Sequence, residues 1–323
     1  ITAILINTPG TSAAAATTFD GYPLAQKGEA GRALGVAVIS STVGGVFSVI
    51  VLCFAAPLLA RVAYEFRSPE YFALTVFGLS MLASISAGGA VKNLIGGIFG
   101  VWLSTIGAER VTGIERFMFG NYELYEGLHF VPIFIGLFAI SELLVQSKTV
   151  NKIVNTVSMK AVKLPTKEDY KKIWKTILRS CGIGTFIGVL PAEGATVASM
   201  IGYSEARRWS KNKEEFGKGS IEGIAGAEAA NNSATGGAMV PTMVLGIPGS
   251  GTTAIILVGL MVHGLRPGVY LFTEQVEKVY QIFGSMFFAN IMFMLMGLYA
   301  AKIFARVSLV PTAILWPIVF GLS

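Results

Sequence analysis

Two stretches of the sequence place a Pro-Gly pair and hydroxyl side chains inside apolar surroundings. The first reads LINTPGTSAAAAT over residues 5–17, and the second reads LGIPGSGTTAIIL over residues 245–257. A Pro-Gly pair ends one helix and lets another begin, because proline lacks an N–H and glycine tolerates unusual backbone angles. The second helix then offers free N–H groups and a positive dipole end to an anion. The carbonyls that end the first helix, together with the hydroxyls, suit a small cation such as Na⁺.

These two loops supply the first set of predicted binding residues, and we expect an anionic substrate and a cation to bind there together. The set is Asn7, Thr8, Gly10, Thr11, Ser12, Pro248, Gly249, Ser250, Gly251, Thr252 and Thr253. Four of these residues, each with a side-chain oxygen, are the candidates for a Na⁺ site: Asn7, Thr8, Ser250 and Thr252. The alternative is that each Pro-Gly pair only kinks a packed helix, which is common for one such loop and less so for two matched copies.

A third motif, LPAEGAT at residues 190–196, interrupts the apolar segment 181–202. Both flanks of this segment are basic, and Lys and Arg are enriched in cytoplasmic loops, so a single crossing does not fit. We predict a re-entrant hairpin over 181–202 that turns at the motif. Glu193, Gly194 and Thr196 would then lie at membrane depth, where an ionisable residue is a candidate for function. The alternative for Glu193 is a salt bridge that only joins helices.

A polar stretch, SIEGIAGAEAANNSATGGAMV at residues 220–240, adds further candidates. Glu228, Asn231, Asn232 and Thr235 recur at helical spacing and therefore share one face of a helix. That face is too polar for lipid, so we expect it to line the same cavity as the loops, with Asn231 and Asn232 in contact with substrate. The alternative is that the face joins two helices.

The composition indicates a membrane protein. The chain has 323 residues, of which 53% are hydrophobic and 14% charged, whereas soluble domains carry roughly 25% charged residues. Uncharged runs near or above the ~20 residues that span a bilayer core lie at 33–60, 71–91, 280–301 and 307–323. The segments 93–107 and 130–145 are assigned as shorter spans. We predict an all-α polytopic membrane protein.

Residues 146–180 form a basic segment, with nine Lys and Arg against two acidic residues. Apolar residues recur at helical spacing from Tyr170 to Leu178, and Thr166 with Asp169 resembles a capping box. We predict a cytoplasmic linker that contains an amphipathic helix lying on the lipid bilayer surface. Nucleic-acid binding by these lysines has far weaker support than membrane anchoring, and we expect no nucleic-acid partner.

The two Pro-Gly loops belong to longer matched segments. Each runs through aliphatic residues, Pro-Gly and hydroxyls to a polar-Gly pair, Asp20-Gly21 or His263-Gly264, with a proline shortly after. Charge-based topology places the matching loops on opposite sides of the membrane, which predicts an inverted repeat of the kind found in secondary transporters with discontinuous helices. Asp20 is expected either to cap the loop beside Gly21 or to couple transport to a cation, and we favour the capping role.

The predicted organisation therefore has three parts. Residues 1–145 form a first repeat that is incomplete at its N-terminal end, 146–180 form the linker, and 181–323 form a second repeat with its Pro-Gly loop at 245–268. The chain begins and ends inside apolar segments, so we expect sequence to continue beyond both ends.

Other functional classes lack their sequence signatures. The two cysteines, Cys53 and Cys181, lie in or beside apolar segments and are predicted to be free thiols. No phosphate-binding loop of the GxxxxGK[S/T] type occurs, so we expect that this chain does not itself use ATP. With only two histidines, the chain is poor in the usual metal ligands. No cofactor is expected besides a coupling ion, Na⁺ or H⁺.

Four motifs in the same order resemble the large membrane subunit of the bacterial tripartite tricarboxylate transporters (TctA-like). They are AILINTPGTSAAAATTFDGYPLAQKGEAGRALG (3–35), LPAEGAT (190–196), EFGKGSIEGIAGAEAANNSATGGAMVP (215–241) and LGIPGSGTTAIILVGLMVHGLRPG (245–268). The chain departs from the family at Ala192, where the family commonly has glycine.

The resemblance implies a multi-pass, cation-driven importer in the bacterial inner membrane. It implies two partners, a periplasmic solute-binding protein and a small four-helix membrane subunit, and a cargo of citrate or another carboxylate. Two other classes stay open on the residues alone: an ion or solute channel, and a membrane enzyme that uses Glu193 or Glu228 as acid or base. The sequence lacks the nucleophile–base pair and the cofactor motif that an enzyme would need, so we do not expect enzymatic activity.

Overall fold

The computed structural model describes residues 1–85, 90–109, 112–129, 132–133, 136–137, 162–190, 194–301 and 303. These residues are nearly all helical, which confirms the predicted all-α class. The helices in chain order are α1 (Thr2–Leu5), α2 (Ala15–Leu24), α3 (Ala30–Tyr64), α4 (Ser68–Ile85), α5 (Ala90–Ser104), α6 (Lys167–Val189), α7 (Gly194–Trp209), α8 (Ile221–Leu245), α9 (Gly251–Val262) and α10 (Val276–Leu295).

Short elements connect these helices. Single 3₁₀ turns lie at Ser12–Ala14, Tyr122–Leu124, Lys213–Glu215 and Val269–Phe272, and π-helical turns lie at Ala25–Glu29 and Met296–Ala300. The polar loop after α5 contains a two-residue antiparallel strand pair, β1 (Gly107–Ala108) and β2 (Glu115–Arg116), which pairs Gly107 with Arg116. The sequence did not indicate this pair, because two residues are too few to show the alternation typical of a strand.

The chain divides into two compact units. One contains Ile1–Glu65 and Lys152–Val310, and the other contains Phe66–Asn151 and Pro311–Ser323. In the second unit, α4 packs against α5. The first unit contains both Pro-Gly loops and the helices on either side of the LPAEGAT motif. The candidate site is therefore built within this unit.

Helix α8 lies at the centre of the first unit, where it packs against α3, α6 and α7. Small residues allow this close packing. A Cβ at Gly44 of α3 would lie 2.4 Å from the carbonyl oxygen of Ala229, and one at Gly202 of α7 would lie 2.5 Å from that of Gly226. Without side chains at these crossings, backbones can approach closely enough for dispersion contacts between helices, as is usual in membrane proteins.

Helix α6 begins at the predicted capping box, which is confirmed. The Thr166 hydroxyl accepts a hydrogen bond from the Asp169 N–H (3.2 Å), and the Asp169 carboxylate accepts one from the Thr166 N–H (2.9 Å). The helix then continues unbroken across residue 180 to Val189. Its apolar stripe is divided, since Ile173 is buried in the protein whereas Trp174 is 48% exposed. The position of this helix on a bilayer surface stays a prediction.

Two helical segments of the described chain are long and apolar enough to cross a membrane, Ser12–Tyr64 and Val276–Ala300. They contain the predicted span 33–60 and nearly all of the span 280–301. Shorter apolar helices lie at Val91–Ser104 and Gly251–Val262. The predicted span 307–323 and most of the span 130–145 lie outside the described residues. The inverted relation of the two repeats stays a prediction.

Candidate functional site

The first Pro-Gly loop breaks the helix where the sequence predicted a break. Helix α1 ends at Leu5, Asn7 adopts a positive φ of 51°, and helical structure resumes with the turn Ser12–Ala14. The Thr8 hydroxyl donates to the carbonyl of Ile6 (3.2 Å). The residues from Asn7 to Ser12 are exposed. The polar groups of this loop are therefore accessible to a ligand.

The second Pro-Gly loop also separates two helices. Helix α8 ends at Leu245, Gly246 takes a left-handed φ of 69°, and α9 begins after Ser250. The Ser250 hydroxyl accepts from the Thr253 N–H (3.2 Å), and the Thr253 hydroxyl accepts from the Ser250 N–H (2.9 Å). The two hydroxyls thus accept hydrogen bonds from backbone N–H groups that lack partners within the helix at the start of α9. Thr252, between them, is exposed.

This reciprocal cap gives a structural role to two predicted binding residues. The signal was present in the sequence, because Ser-x-x-Thr has the spacing of a capping box with a hydroxyl in place of the usual acid. The cap leaves the Thr252 side chain and the N–H groups at the start of α9 as the parts of this loop best placed to meet a ligand. Binding at any of them stays a prediction.

The third motif lies where α6 gives way to α7. Helix α6 ends at Val189 and α7 begins at Gly194, and the two helices contact one another. The predicted residue Glu193 lies outside the described residues. Gly194 and Thr196 are described, and both lie in the first turn of α7.

All three motifs meet around this junction. The Ser12 and Thr196 hydroxyls are hydrogen-bonded at 2.8 Å, and the turn Ser12–Ala14 contacts both α7 and α8. On the other side, Gly249 is buried, and a Cβ there would lie 3.2 Å from the carbonyl oxygen of Gly188 and 3.0 Å from the Cα of Ala238. The α6–α7 junction therefore contacts one Pro-Gly loop through Thr196 and the other through Gly188.

The polar face of α8 is the accessible face of a helix that is otherwise mostly buried. Glu228, Asn231 and Asn232 are half-buried and Thr235 is exposed. The Glu228 carboxylate accepts hydrogen bonds from Thr17 of α2 (2.6 Å) and Ser41 of α3 (2.7 Å), and the Asn232 amide donates to the Glu228 carbonyl (3.2 Å). The sequence did not single out Thr17 or Ser41, because nothing local to them shows which acid they meet.

Asp20 has a structural role, but not the one beside Gly21. Its carboxylate accepts hydrogen bonds from the N–H groups of Gly219 and Ser220, both at 2.8 Å, at the start of α8. Gly21 lies inside α2. Asp20 therefore caps a distant helix, which the sequence could not show because the two segments are nearly 200 residues apart in the chain.

The predicted Na⁺ site has no recognisable cluster of the usual metal ligands in the described part of the chain. The described residues contain no group of three or more His, Cys, Asp or Glu that could hold a metal ion. The Thr8 and Ser250 hydroxyls make their hydrogen bonds within their own loops. A Na⁺ site at Asn7, Thr8, Ser250 and Thr252 stays a prediction. Cys53 and Cys181 are free, as predicted.

These features define an α-helical protein with two helices apolar enough to cross a membrane, in which two interrupted helices and a helical junction bring polar groups together. Residues 1–323 match the model of the Tripartite tricarboxylate transporter TctA family, and the chain belongs to this family. That confirms the predicted resemblance. It is a family of membrane transporters that work with partner subunits.

Two relatives come from Agrobacterium vitis. The chain is 38% identical over 318 residues to the "Uncharacterized 52.8 kDa protein in TAR-I ttuC' 3'region", which covers 98% of this chain and 63% of the relative. It is 35% identical over 134 residues to the "Uncharacterized protein in TAR-II ttuC' 3'region", which covers 42% of this chain and 55% of that relative. The chain thus spans less than two thirds of the length of the first relative. No solved structure matches the chain.

Proposed function

We propose that this chain forms the substrate pathway of a binding-protein-dependent, cation-coupled secondary transporter that imports citrate or a related carboxylate. Its partners are a periplasmic solute-binding protein and a small four-helix membrane subunit in the bacterial inner membrane. The coupling ion is Na⁺ or H⁺. The family supports the class of transporter, and the arrangement of the motifs supports the location of the pathway.

The observation that carries this proposal is the meeting of both Pro-Gly loops at one helical junction. Thr196 and Gly188, on either side of the junction, contact Ser12 and Gly249 respectively. Transporters built on discontinuous helices place substrate and ions where the helix breaks meet, because free N–H groups and carbonyls are available there. Two loops that are far apart in the sequence are thus both in contact with the same junction.

The chemistry of this region suits a carboxylate. Helix α9 directs its free N–H groups toward the second loop, and a helix N-terminus favours an anion. The hydroxyls of Thr11 and Thr252 and the amides of Asn231 and Asn232 add neutral hydrogen-bonding groups. These groups can hold a carboxylate without a fixed positive charge, which leaves its charge to be balanced by a co-transported cation.

Transport by the reconstituted complex tests this proposal. The full membrane complex is placed in proteoliposomes with the binding protein outside, and uptake of labelled citrate is measured with an inward Na⁺ gradient, with an inward proton gradient and with neither. Uptake that requires the binding protein and one of the gradients supports the proposal. Uptake that proceeds at the same rate without any gradient, and does not saturate, identifies a channel instead.

A second uptake assay identifies the transported carboxylate. If the binding protein retains another carboxylate tightly and citrate does not enter, the same assay is run with the retained acid. Uptake of neither acid under any gradient contradicts the proposal.

A further inference from the structure

The polar loop that follows α5 presents a group of exposed aromatic side chains. We call residues 107–127 the aromatic loop, and it contains β1 and β2. Phe119 is 84% exposed and Tyr122 is 82% exposed. The other exposed large apolar side chains of this loop are Ile114, Phe117 and Tyr125. An accessible group of large apolar side chains with a polar surround marks a surface suited to contact with another molecule.

Hydrogen bonds and a ring contact hold the aromatic loop in shape. Strand β1 pairs with β2, and the Ala108 N–H donates to the carbonyl of Tyr125 (2.9 Å). The ring of Trp102 on α5 packs edge-on against Phe117, with the ring centroids 5.8 Å apart. The loop is therefore held both by its own backbone and by the helix before it.

Two aromatic residues of the loop have an unusual backbone conformation. Phe117 adopts a φ of 52° and Phe119 a φ of 50°. A positive φ is an outlier for a bulky residue, because the Cβ then crowds the neighbouring carbonyl. Met118 lies between them and is buried, so the chain buries one side chain and leaves its two neighbours exposed. Strain of this kind persists where the surrounding structure imposes it, and it is concentrated at functional sites.

The distribution of basic residues indicates which side of the membrane the aromatic loop faces. The loop carries two Arg and no Lys, whereas residues 146–180 carry nine Lys and Arg. Cytoplasmic loops are enriched in Lys and Arg, and the predicted span 130–145 separates the two segments. The charge rule thus predicts that the aromatic loop lies on the outer side, where a periplasmic partner arrives.

The charges within the loop favour a protein partner over lipid. Aromatic residues also occur at membrane surfaces, where their rings lie among the head groups. The exposed charged side chains in the described part of the loop are three acids and one base: Glu115, Glu123, Glu126 and Arg116. Anionic head groups repel such an acidic surface. Exposed aromatic rings with a charged rim have instead the composition of a protein interface.

We infer that the aromatic loop is the docking surface for the periplasmic solute-binding protein, an inference that rests on the proposed transport function. The rings of Phe119 and Tyr122 enter apolar pockets of the binding protein, and Glu123 and Glu126 face basic residues around those pockets. Aromatic side chains held in place by a rigid loop lose little conformational entropy when a partner covers them. The strained turn therefore favours recognition by fixing the rings before the partner binds.

Binding of the solute-binding protein to the full membrane complex in nanodiscs tests this inference. The binding protein is loaded with the acid used in the uptake assays. Phe119→Ala combined with Tyr122→Ala should weaken binding about tenfold or more, because buried aromatic residues dominate interface energies. Tyr299→Ala is the matched control, since Tyr299 is also 82% exposed but lies in the π-helical turn after α10. The control should change the affinity by less than about twofold.

Uptake measurements separate weaker docking from damage to transport. In proteoliposomes, the concentration of binding protein that gives half-maximal uptake should rise about tenfold in the Phe119 and Tyr122 double variant, while the maximal rate stays within about twofold of wild type. Size-exclusion profiles and the retained small membrane subunit show whether each complex is assembled.

The acidic rim has a test of its own. Glu123→Lys combined with Glu126→Lys should slow association of the binding protein at low salt. The difference from wild type should shrink at high salt, because salt screens interactions between exposed charges. Faster association of this variant would contradict a basic surface on the partner.

The outcomes separate this inference from the proposed function. Weaker docking with a preserved maximal rate supports the inference. Wild-type affinity of the aromatic double variant, or an equal loss in Tyr299→Ala, overturns it and leaves the transporter in place. Loss of the small membrane subunit or of membrane assembly in that variant also overturns it, because the rings would then contact subunits or lipid. Wild-type uptake that does not depend on the binding protein instead counts against the proposed function itself.

Discussion

The Asp20 carboxylate accepts a hydrogen bond from the backbone N–H of Ser220 at 2.8 Å, across 200 positions of the chain. Ser220 is the residue before α8, where the first N–H groups of the helix lack partners within the helix. A negative charge at this end also stabilises the helix dipole. One side chain of α2 therefore holds the start of the central helix of the unit.

Removal of this cap should destabilise the protein. We expect Asp20→Ala to lower the free energy of unfolding by roughly 1–3 kcal/mol, because the buried N–H group of Ser220 and the half-buried N–H group of Gly219 lose their acceptor. Asp20→Asn keeps one acceptor oxygen and should cost less. Thermal unfolding in detergent measures both variants. Equal melting temperatures for wild type and Asp20→Ala would show that the cap contributes nothing.

The hydrogen bond between Ser12 and Thr196 should appear as an energetic coupling. Ser12→Ala and Thr196→Val each remove one partner, and a double-mutant cycle isolates their interaction. We expect the double variant to lose less stability than the sum of the single variants, by about 0.5–1.5 kcal/mol. Citrate uptake should show the same non-additivity. Strictly additive effects in both measurements would mean that the two motifs do not act together.

Neighbouring threonines in the second Pro-Gly loop should separate function from stability. Thr253→Val removes half of the reciprocal cap on α9 and should cost about 1 kcal/mol of stability. Thr252→Val changes an exposed side chain and should leave the melting temperature nearly unchanged while it reduces uptake. Ser250→Ala combined with Thr252→Val should abolish uptake in a protein that still assembles in the membrane. Wild-type kinetics in that double variant would contradict the assignment of this loop to the site.

The close packing of Gly249 against α8 and the α6–α7 junction should not tolerate a side chain. A Cβ there would lie 2.8 Å from the Cβ of Ala238, so Gly249→Ala must displace the loop or α8. We expect loss of uptake and lower stability. Gly259, on α9, has open space at its Cβ position and provides the matched control. Gly259→Ala should be neutral or slightly stabilising, since alanine favours a helix by about 1 kcal/mol. Equal effects of the two substitutions would refute the close contact.

The sequence predicted local features well, because their causes are local. Pro-Gly pairs marked both helix breaks, Thr166 with Asp169 marked the start of α6, and long uncharged runs marked the helices that contain 33–60 and 280–301. Helical spacing also placed Glu228, Asn231 and Asn232 on one face. Each of these inferences depends only on residues within a few turns of one another.

Contacts between distant segments could not be predicted in the same way. The partners of Glu228 are Thr17 and Ser41, and the partner of Thr196 is Ser12. Nothing in the spacing of these residues reveals which helix packs beside which. The cap formed by Ser250 and Thr253 differs in kind. The spacing of the two residues indicates a capping box from the sequence alone. The same residue types at the start of a helix also bind ligands, so the sequence does not distinguish the two roles.

The central claim is that the junction of α6 and α7 and the two Pro-Gly loops form the pathway of a cation-coupled carboxylate importer. The most direct test is uptake of labelled citrate into proteoliposomes that hold the full membrane complex, with and without the binding protein and an inward cation gradient. The account predicts saturable uptake only when both are present, and its loss in Ser250→Ala combined with Thr252→Val. Uptake that is independent of any gradient, or unchanged by that double substitution, would contradict it.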